Sequence, residues 1–218
     1  MNFNAQKARQ SLYLDFEGEG RSSLSHCPMP HMLGIFRPHP VRGGSGKYEA
    51  VFFNETWTAP VNGSSSRAHI AEFEQTINNL IALARERDGC LVYWSDHERH
   101  IVEQYAPKSL EAFNEVGFNL LPALRKLKNK RNLMLDESID KVLNQYLNAF
   151  IPKRPLINEC RPGPAEACRR IDQCTRRYTR WGRWPNPKKQ YVLNLLSYNE
   201  KDCRATWWLA KKLGNINK

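Results

Sequence analysis

Two acidic residues, Asp15 and Glu17, stand two positions apart near the start of the chain, at the end of a short apolar run. Alternate residues of a β-strand face the same side, so both carboxylates project together if the strand continues through Glu17. Two anions on one surface repel each other unless a cation or a proton relieves them, and such oxygen ligands suit Mg²⁺ or Mn²⁺. A strand that ends in solvent with an acidic turn gives the same pattern, so the pair alone leaves both interpretations open.

A second pair, Tyr198 and Asp202, lies near the other end of the chain with a spacing of four. At this spacing two side chains lie one above the other on a single helix face. Asp202 could hold a metal ion while Tyr198 orients or polarises an attacking water, although a half-buried packing role suits Tyr198 equally well. The two pairs together predict a metal-dependent site if the fold brings them into contact.

The first pair needs a strand, and residues 11 to 16 have the apolar and aromatic composition of one. Two further strands are predicted over residues 32 to 36 and 48 to 53, with a glycine-rich turn between them. These three strands form a predicted antiparallel meander.

A helix is predicted next, because apolar residues recur at three- and four-residue spacing from Ile70 to Ala84, with Ser66 as the expected N-cap. A buried strand over residues 90 to 94 follows, and then a second helix capped by Ser95 or Asp96. A helical crossover returns the chain to a parallel position, so this order predicts an α/β fold with a mixed sheet flanked by helices.

The second pair needs a helix, and apolar spacing predicts one over residues 191 to 213. Between residues 107 and 189 the pattern is weaker, with helices predicted over 120 to 127 and 138 to 150. We interpret the rest of that segment as a basic insertion into a single domain that spans residues 1 to 218.

The charge of the chain favours a polyanionic partner, because 33 Lys and Arg outnumber 22 Asp and Glu and give a formal charge of +11. Residues 153 to 189 alone hold eleven basic residues against three acidic ones. Basic groups neutralise phosphates and aromatic faces stack on unpaired bases, so nucleic-acid contact is predicted for Arg176, Arg177, Arg180, Trp181, Arg183 and Trp184. An arginine-rich solvated surface, with tryptophans that anchor a loop, is the alternative.

Asp15-Phe16-Glu17 on the first strand, with Tyr198 and Asp202 on the last helix, resembles the DEDDy class of 3′→5′ exonucleases in the ribonuclease H-like superfamily. Residues 198 to 206, Tyr-Asn-Glu-Lys-Asp-Cys-Arg-Ala-Thr, are similar to the last motif of bacterial RecB-family or YprB-like nuclease domains. The resemblance covers the first hundred residues and the last thirty. It implies a ribonuclease H-like sheet, a three-stranded antiparallel meander plus parallel strands.

In that family a further acid follows the strand after the first helix, where this chain has Tyr93-Trp94-Ser95-Asp96-His97-Glu98. Matching the strand end places Glu98 on the acid, with Asp96 as a competitor. The resemblance implies phosphodiester hydrolysis with two Mg²⁺ or Mn²⁺ ions. It also implies that the protein is a 3′→5′ exonuclease that acts on single-stranded ends. The implied ligands are Asp15, Glu17, Glu98 and Asp202, and Tyr198 would place the water.

A catalytically silent nucleic-acid-binding or scaffold module with the same fold is the alternative, because fold resemblance does not establish activity. No stretch approaches the 18 apolar residues that a membrane span requires, so we expect a cytoplasmic protein without membrane contact. Reduced thiols and no cysteine-bound metal are expected, because the spacing includes no Cys-x-x-Cys pair among Cys27, Cys90, Cys160, Cys168, Cys174 and Cys203.

Overall fold

The structure, a computed structural model, describes residues 3–20, 27–39, 45–63, 67–130, 143–152 and 160–216. Within these ranges one mixed sheet has six strands. They are β1 (Leu12–Glu17), β2 (Met32–Pro38), β3 (Gly46–Phe52), β4 (Ala68–Ile70), β5 (Leu91–Tyr93) and β6 (Gly117–Asn119). Their order across the sheet is β4-β3-β2-β1-β5-β6.

The strands combine both kinds of pairing. β1, β2 and β3 form an antiparallel meander, in which Asp15 lies opposite Gly34 and Gly34 lies opposite Ala50. β4 runs parallel to β3, and β5 and β6 continue the sheet parallel to β1. The predicted α/β class, with a mixed sheet flanked by helices, is confirmed, and so is the predicted meander.

Helices cover both faces of the sheet. The α-helices of the described residues are α1 (Ala5–Gln10), α2 (Thr58–Gly63), α3 (Phe73–Glu86), α4 (Asp96–Tyr105), α5 (Leu110–Val116), α6 (Leu120–Lys130), α7 (Leu143–Phe150), α8 (Pro164–Arg177) and α9 (Asn186–Ile216). Short 3₁₀ turns lie at Glu55–Trp57, Pro107–Ser109 and Trp181–Arg183. None of the helices described is long and apolar enough to cross a membrane.

The alternation of β1 decides what each face buries. Leu12, Leu14 and Phe16 point into a core shared with α3, α4 and α5. Tyr13 points into the opposite core, which α9 shares with α1, α6, α7 and α8. Because Asp15 and Glu17 have the same parity as Tyr13, they lie on the face that α9 covers.

Two predictions about the elements are corrected by the structure. The predicted start of the first long helix is wrong, because Ile70 belongs to β4 and Glu72 caps α3 by accepting bonds from the N–H groups of Glu74 and Gln75. Ser66, the expected cap, lies outside the described residues.

The segment from 107 to 189 is not wholly an insertion, because Gly117–Asn119 extends the sheet. The sequence does not predict α8, and residues 138 to 142 of the predicted helix lie outside the described residues.

Candidate metal centre

Three carboxylates from opposite ends of the sequence meet between β1 and α9. One oxygen each of Asp15, Glu17 and Asp202 lies within 4.8 Å of the other two. Glu17 is buried, with 8% of its surface exposed, and the other two are half-buried. β1 continues through Glu17, so the strand places two acids on the face against which α9 brings the third.

The three acids are strongly perturbed by this arrangement. Burial raises the pKa of Glu17 to about 8, and the charge of Asp202 adds to the rise. Burial also raises the pKa of Asp202 to about 7, against a lowering by the Tyr198 hydroxyl. The pKa of Asp15 lies well above its usual range because of burial and then the charges of Glu17 and Asp202. These carboxyls resist joint ionisation because their negative charges repel each other. A hard divalent cation bound between them would relieve that repulsion.

Tyr198 faces the same cluster from α9. Its ring is half-buried and packs against the core on the α9 side. Burial and the nearby charge of Asp202 raise its pKa, so the hydroxyl stays protonated at neutral pH. The structure therefore brings Tyr198 together with Asp202 as a hydrogen-bond donor.

Asn199 is the residue of this site that sequence reasoning missed. Its Nδ2 donates to Asp15 Oδ2 at 2.7 Å and to the Asp15 main-chain oxygen at 3.0 Å. Its Oδ1 accepts from the Tyr48 hydroxyl at 2.8 Å, and the side chain is completely buried. The available signal was its spacing of three from Asp202, which places both residues on one face of α9.

Glu98 lies near the cluster but outside the group of three. It occupies the third position of α4, where its Oε2 accepts from the Ser95 main-chain N–H at 3.2 Å and from the Ser95 hydroxyl at 3.3 Å. Burial raises its pKa to about 7, and its charge raises the pKa of both Asp15 and Glu17. Ser95, one of the two predicted caps, is the N-cap of α4.

Asp96, the competing fourth acid, has different surroundings. Its side chain is exposed and accepts a bond from Asn119 Nδ2 at 3.0 Å. Unlike Glu98, it is not a leading cause of the raised pKa values of Asp15 and Glu17. Of the two candidates, Glu98 has the electrostatic link to the cluster.

A pocket of about 240 Å³ opens beside Glu17, between the end of β1 and the starts of α4 and α8. Its walls are mainly apolar, and His97 is an exposed polar side chain at its edge. The apolar lining residues are Phe16, Pro28, Pro30, Ile101, Pro164 and Ala165. The pocket gives a molecule of modest size access to the Glu17 side of the carboxylate group.

The predicted basic residues lie on α8 and on the turn that follows it. Arg176, Arg177, Arg180 and Arg183 are all exposed, and Arg176 pairs with Asp172 at 2.7 Å. The start of α8 lies beside the end of β1, since Arg169 donates to the Glu19 main-chain oxygen at 2.9 Å. At a helical rise of about 1.5 Å per residue, the exposed arginines begin roughly 10 Å further along α8.

The two tryptophans of this segment differ. The Trp181 ring is half-buried, lies against Gly63, and has the Lys189 ammonium 5.7 Å from its centroid. Trp184 is buried, with 2% exposed, and its Nε1 donates to the Tyr178 main-chain oxygen at 3.0 Å. The prediction that Trp184 stacks on bases is wrong, because its ring fills the core and offers no free face.

Neither models of protein families, nor curated proteins, nor solved structures give a match to this chain. The function proposed below therefore depends on the motif residues and on the geometry of the carboxylate group.

Proposed function

We propose that this chain is a metal-dependent nuclease with a ribonuclease H-like fold, which hydrolyses nucleic acid from single-stranded 3′ ends in the manner of DEDDy exonucleases. The observation that carries the proposal is the meeting of Asp15, Glu17 and Asp202 within 4.8 Å. A second observation supports it, namely that β3, β2 and β1 form the meander and that β5 and β6 extend it in parallel. This is the arrangement of strands that the family resemblance implies.

The donor set fits Mg²⁺ or Mn²⁺. All three side chains offer carboxylate oxygens, which are the ligands that these hard cations prefer, and no thiol or imidazole of the described residues joins the group. A pair of such ions, when bound, supplies Lewis-acid stabilisation of the phosphate and an activated water. Asp15, Glu17 and Asp202 would hold the ions, with Glu98 at the edge of the group.

Two side chains of α9 orient the groups at the site, namely a water molecule and the Asp15 carboxylate. Tyr198 keeps its proton and donates towards Asp202, so its hydroxyl can orient a water at that edge. Asn199 holds Asp15 by donating to both its carboxylate and its main-chain oxygen. Burial of Glu17 and Glu98 keeps bulk water from screening the charges within the group.

Substrate attraction needs a separate surface, because carboxylates repel phosphate. We assign this role to the exposed arginines of α8 and its following turn, together with Trp181. Among the residues described, Arg177, Arg180 and Arg183 make no ion pair, so their charges are available to phosphate oxygens. The formal charge of +11 is consistent with a polyanionic partner.

The proposal is tested by substitutions that remove one negative charge and retain the side-chain shape. Asp15→Asn and Asp202→Asn should each reduce Mg²⁺- or Mn²⁺-dependent cleavage of labelled single-stranded DNA and RNA to background, with circular dichroism unchanged. Asp88→Asn is the matched control, because Asp88 is exposed and pairs only with Lys7 among the described residues. Wild-type protein that cleaves nothing on a panel of 3′-ended and circular substrates would favour the catalytically silent binding module.

A further inference from the structure

We propose that Asn199 is a positioning residue that fixes the Asp15 carboxylate for cation binding. It is the middle member of a hydrogen-bond chain that runs from Tyr48 through Asn199 to Asp15. Gly34 provides the space for the Asn199 amide. This inference rests on the proposed function and deepens it. It assigns a role to three residues outside the carboxylate group itself.

The hydrogen bonds fix the orientation of the Asn199 amide. The Asp15 main-chain oxygen can only accept, so Nδ2 must face β1, and Oδ1 then accepts from the Tyr48 hydroxyl at 2.8 Å. Nδ2 then donates to two oxygens of the same residue, Oδ2 and the main-chain oxygen of Asp15. Because one bond is to the backbone and the other to the side chain, the pair sets the rotation of the carboxylate relative to the strand.

Gly34 explains how a helix side chain reaches the backbone of the central strand. It lies directly opposite Asp15 in the register of β1 and β2. A Cβ at this position would lie 1.6 Å from Asn199 Oδ1 and 2.6 Å from its Cγ, so no larger residue fits beside the amide. Glycine in the interior of a strand is otherwise unfavourable and marks close approach of another group.

Burial favours the arrangement in which every member of this hydrogen-bond chain is paired. Asn199 has no exposed surface, and an unpaired amide in such a place would carry a desolvation penalty. Burial also keeps the Tyr48 pKa well above its usual range, so Tyr48 remains a donor. Cys203 Sγ lies 4.0 Å from Asn199 Oδ1 and adds only a weak contact.

The experiment separates a positioning role from a merely structural tie between α9 and β1. Mn²⁺ affinity is measured by titration calorimetry, and cleavage is measured as kcat and KM at several Mn²⁺ concentrations. Asn199→Ala should weaken Mn²⁺ binding by roughly 10- to 100-fold, as removal of a partner that orients a metal ligand typically does. Tyr48→Phe should act in the same direction with a smaller effect, and Asn194→Ala on the same helix should have none.

Kinetics and stability provide two further readouts. The Asn199→Ala enzyme should have a lower kcat and require more Mn²⁺ for half-maximal rate, with KM for the nucleic acid unchanged. Gly34→Ala should lower the free energy of unfolding of metal-free protein, and by much less in an Asn199→Ala background, where the clash is absent. Gly182→Ala is the control, because an added Cβ there meets nothing within 4 Å.

Folded Asn199→Ala or Tyr48→Phe protein that binds Mn²⁺ as tightly as wild type would overturn the inference and leave the proposed function in place. If Asn199→Ala does not fold, Tyr48→Phe decides the question, because it removes a single hydroxyl. Wild-type protein that binds no Mn²⁺ would overturn both proposals. Equal penalties for Gly34→Ala in the two backgrounds would show that the Asn199 amide does not occupy the space beside Gly34.

Discussion

At the scale of single residues, the Glu17 carboxyl makes the stability of the metal-free protein depend on pH. Its pKa rises from 4.5 to about 8 on folding, so between these values the folded chain binds more protons than the unfolded chain. The free energy of unfolding therefore falls as pH rises through this window, by up to about 1.4 kcal/mol for each pH unit. The raised pKa values of Asp15 and Asp202 act in the same direction.

The corresponding measurement is urea unfolding in the presence of a chelator at several pH values from 5 to 9. We expect wild-type stability to fall as pH rises from about 5 to about 8. Asp15→Asn should reduce this slope, because it removes a carboxyl whose own pKa is raised well above its usual range on folding. Parallel curves for wild type and Asp15→Asn would show that the carboxylate group does not control the pH dependence.

Glu98 and Asp96 are distinguished by a second pair of substitutions. In Glu98→Gln the amide oxygen can still accept from the Ser95 N–H, so the cap and the fold should survive while the charge near the cluster is removed. We expect divalent-dependent cleavage to fall by at least about tenfold, because partners close to metal ligands have effects of this size. Asp96→Asn should cleave like wild type, and the opposite pattern would assign the fourth acid to Asp96.

The sequence predicts those residues of the site whose relation depends only on spacing within one strand or one helix. Asp15 and Glu17 could be predicted as neighbours from strand alternation, and Tyr198 with Asp202 from helical spacing. The role of Asn199 could not, because it needs the register that places Gly34 opposite Asp15. The buried state of Trp184 was also not evident, since an aromatic residue among arginines has the same composition on a surface and in a core.

At the scale of elements, length and apolar content decide what was predictable. β1, β2 and β5 have apolar runs, and α3, α4 and α9 have clear periodicity, so the sequence predicts all six. β4 and β6 have three residues each, too few to show alternation. The buried face of α8 includes Cys168, Cys174 and Thr175, which are weak hydrophobic signals, and the sequence alone therefore does not distinguish this helix from an insertion.

The exposed arginines of α8 and its turn give a prediction at this scale. The triple variant of Arg177, Arg180 and Arg183 to Ala should weaken binding of single-stranded nucleic acid. It should also reduce the salt slope by about 0.7 log units for each phosphate that these side chains no longer neutralise. The control triple, Arg85, Arg99 and Lys108 to Ala, removes the same charge from elements on the opposite face of the sheet and should have a much smaller effect. Equally weakened binding in the two triples would show that net charge, and not this surface, attracts the strand.

At the scale of the whole molecule, the two ends of the described chain lie together. A Cβ on Gly214 near the end of α9 would lie 2.7 Å from the Asn4 carbonyl carbon, and α9 packs along both α1 and β1. The carboxylate group is thus shared by the first strand and the last helix. It exists only when the sheet and the C-terminal helix are both in place, so occupation of the site and folding are thermodynamically linked.

This linkage gives the final prediction. A cation that binds the folded state alone stabilises it by about 2.7 kcal/mol at a concentration one hundred times its dissociation constant. We expect Mn²⁺ to raise the thermal unfolding midpoint of wild-type protein in a concentration-dependent way at a pH of about 7.5, where the three carboxyls resist joint ionisation without a counter-ion. Asp88→Asn should respond as wild type does, whereas Asp15→Asn and Asp202→Asn should show little response but unfold at a higher temperature than wild type in chelator. An equal Mn²⁺ response in all four proteins would place the cation elsewhere. A site built by β1 and α9 together must bind Mn²⁺ more weakly when either Asp15 on the strand or Asp202 on the helix loses its charge.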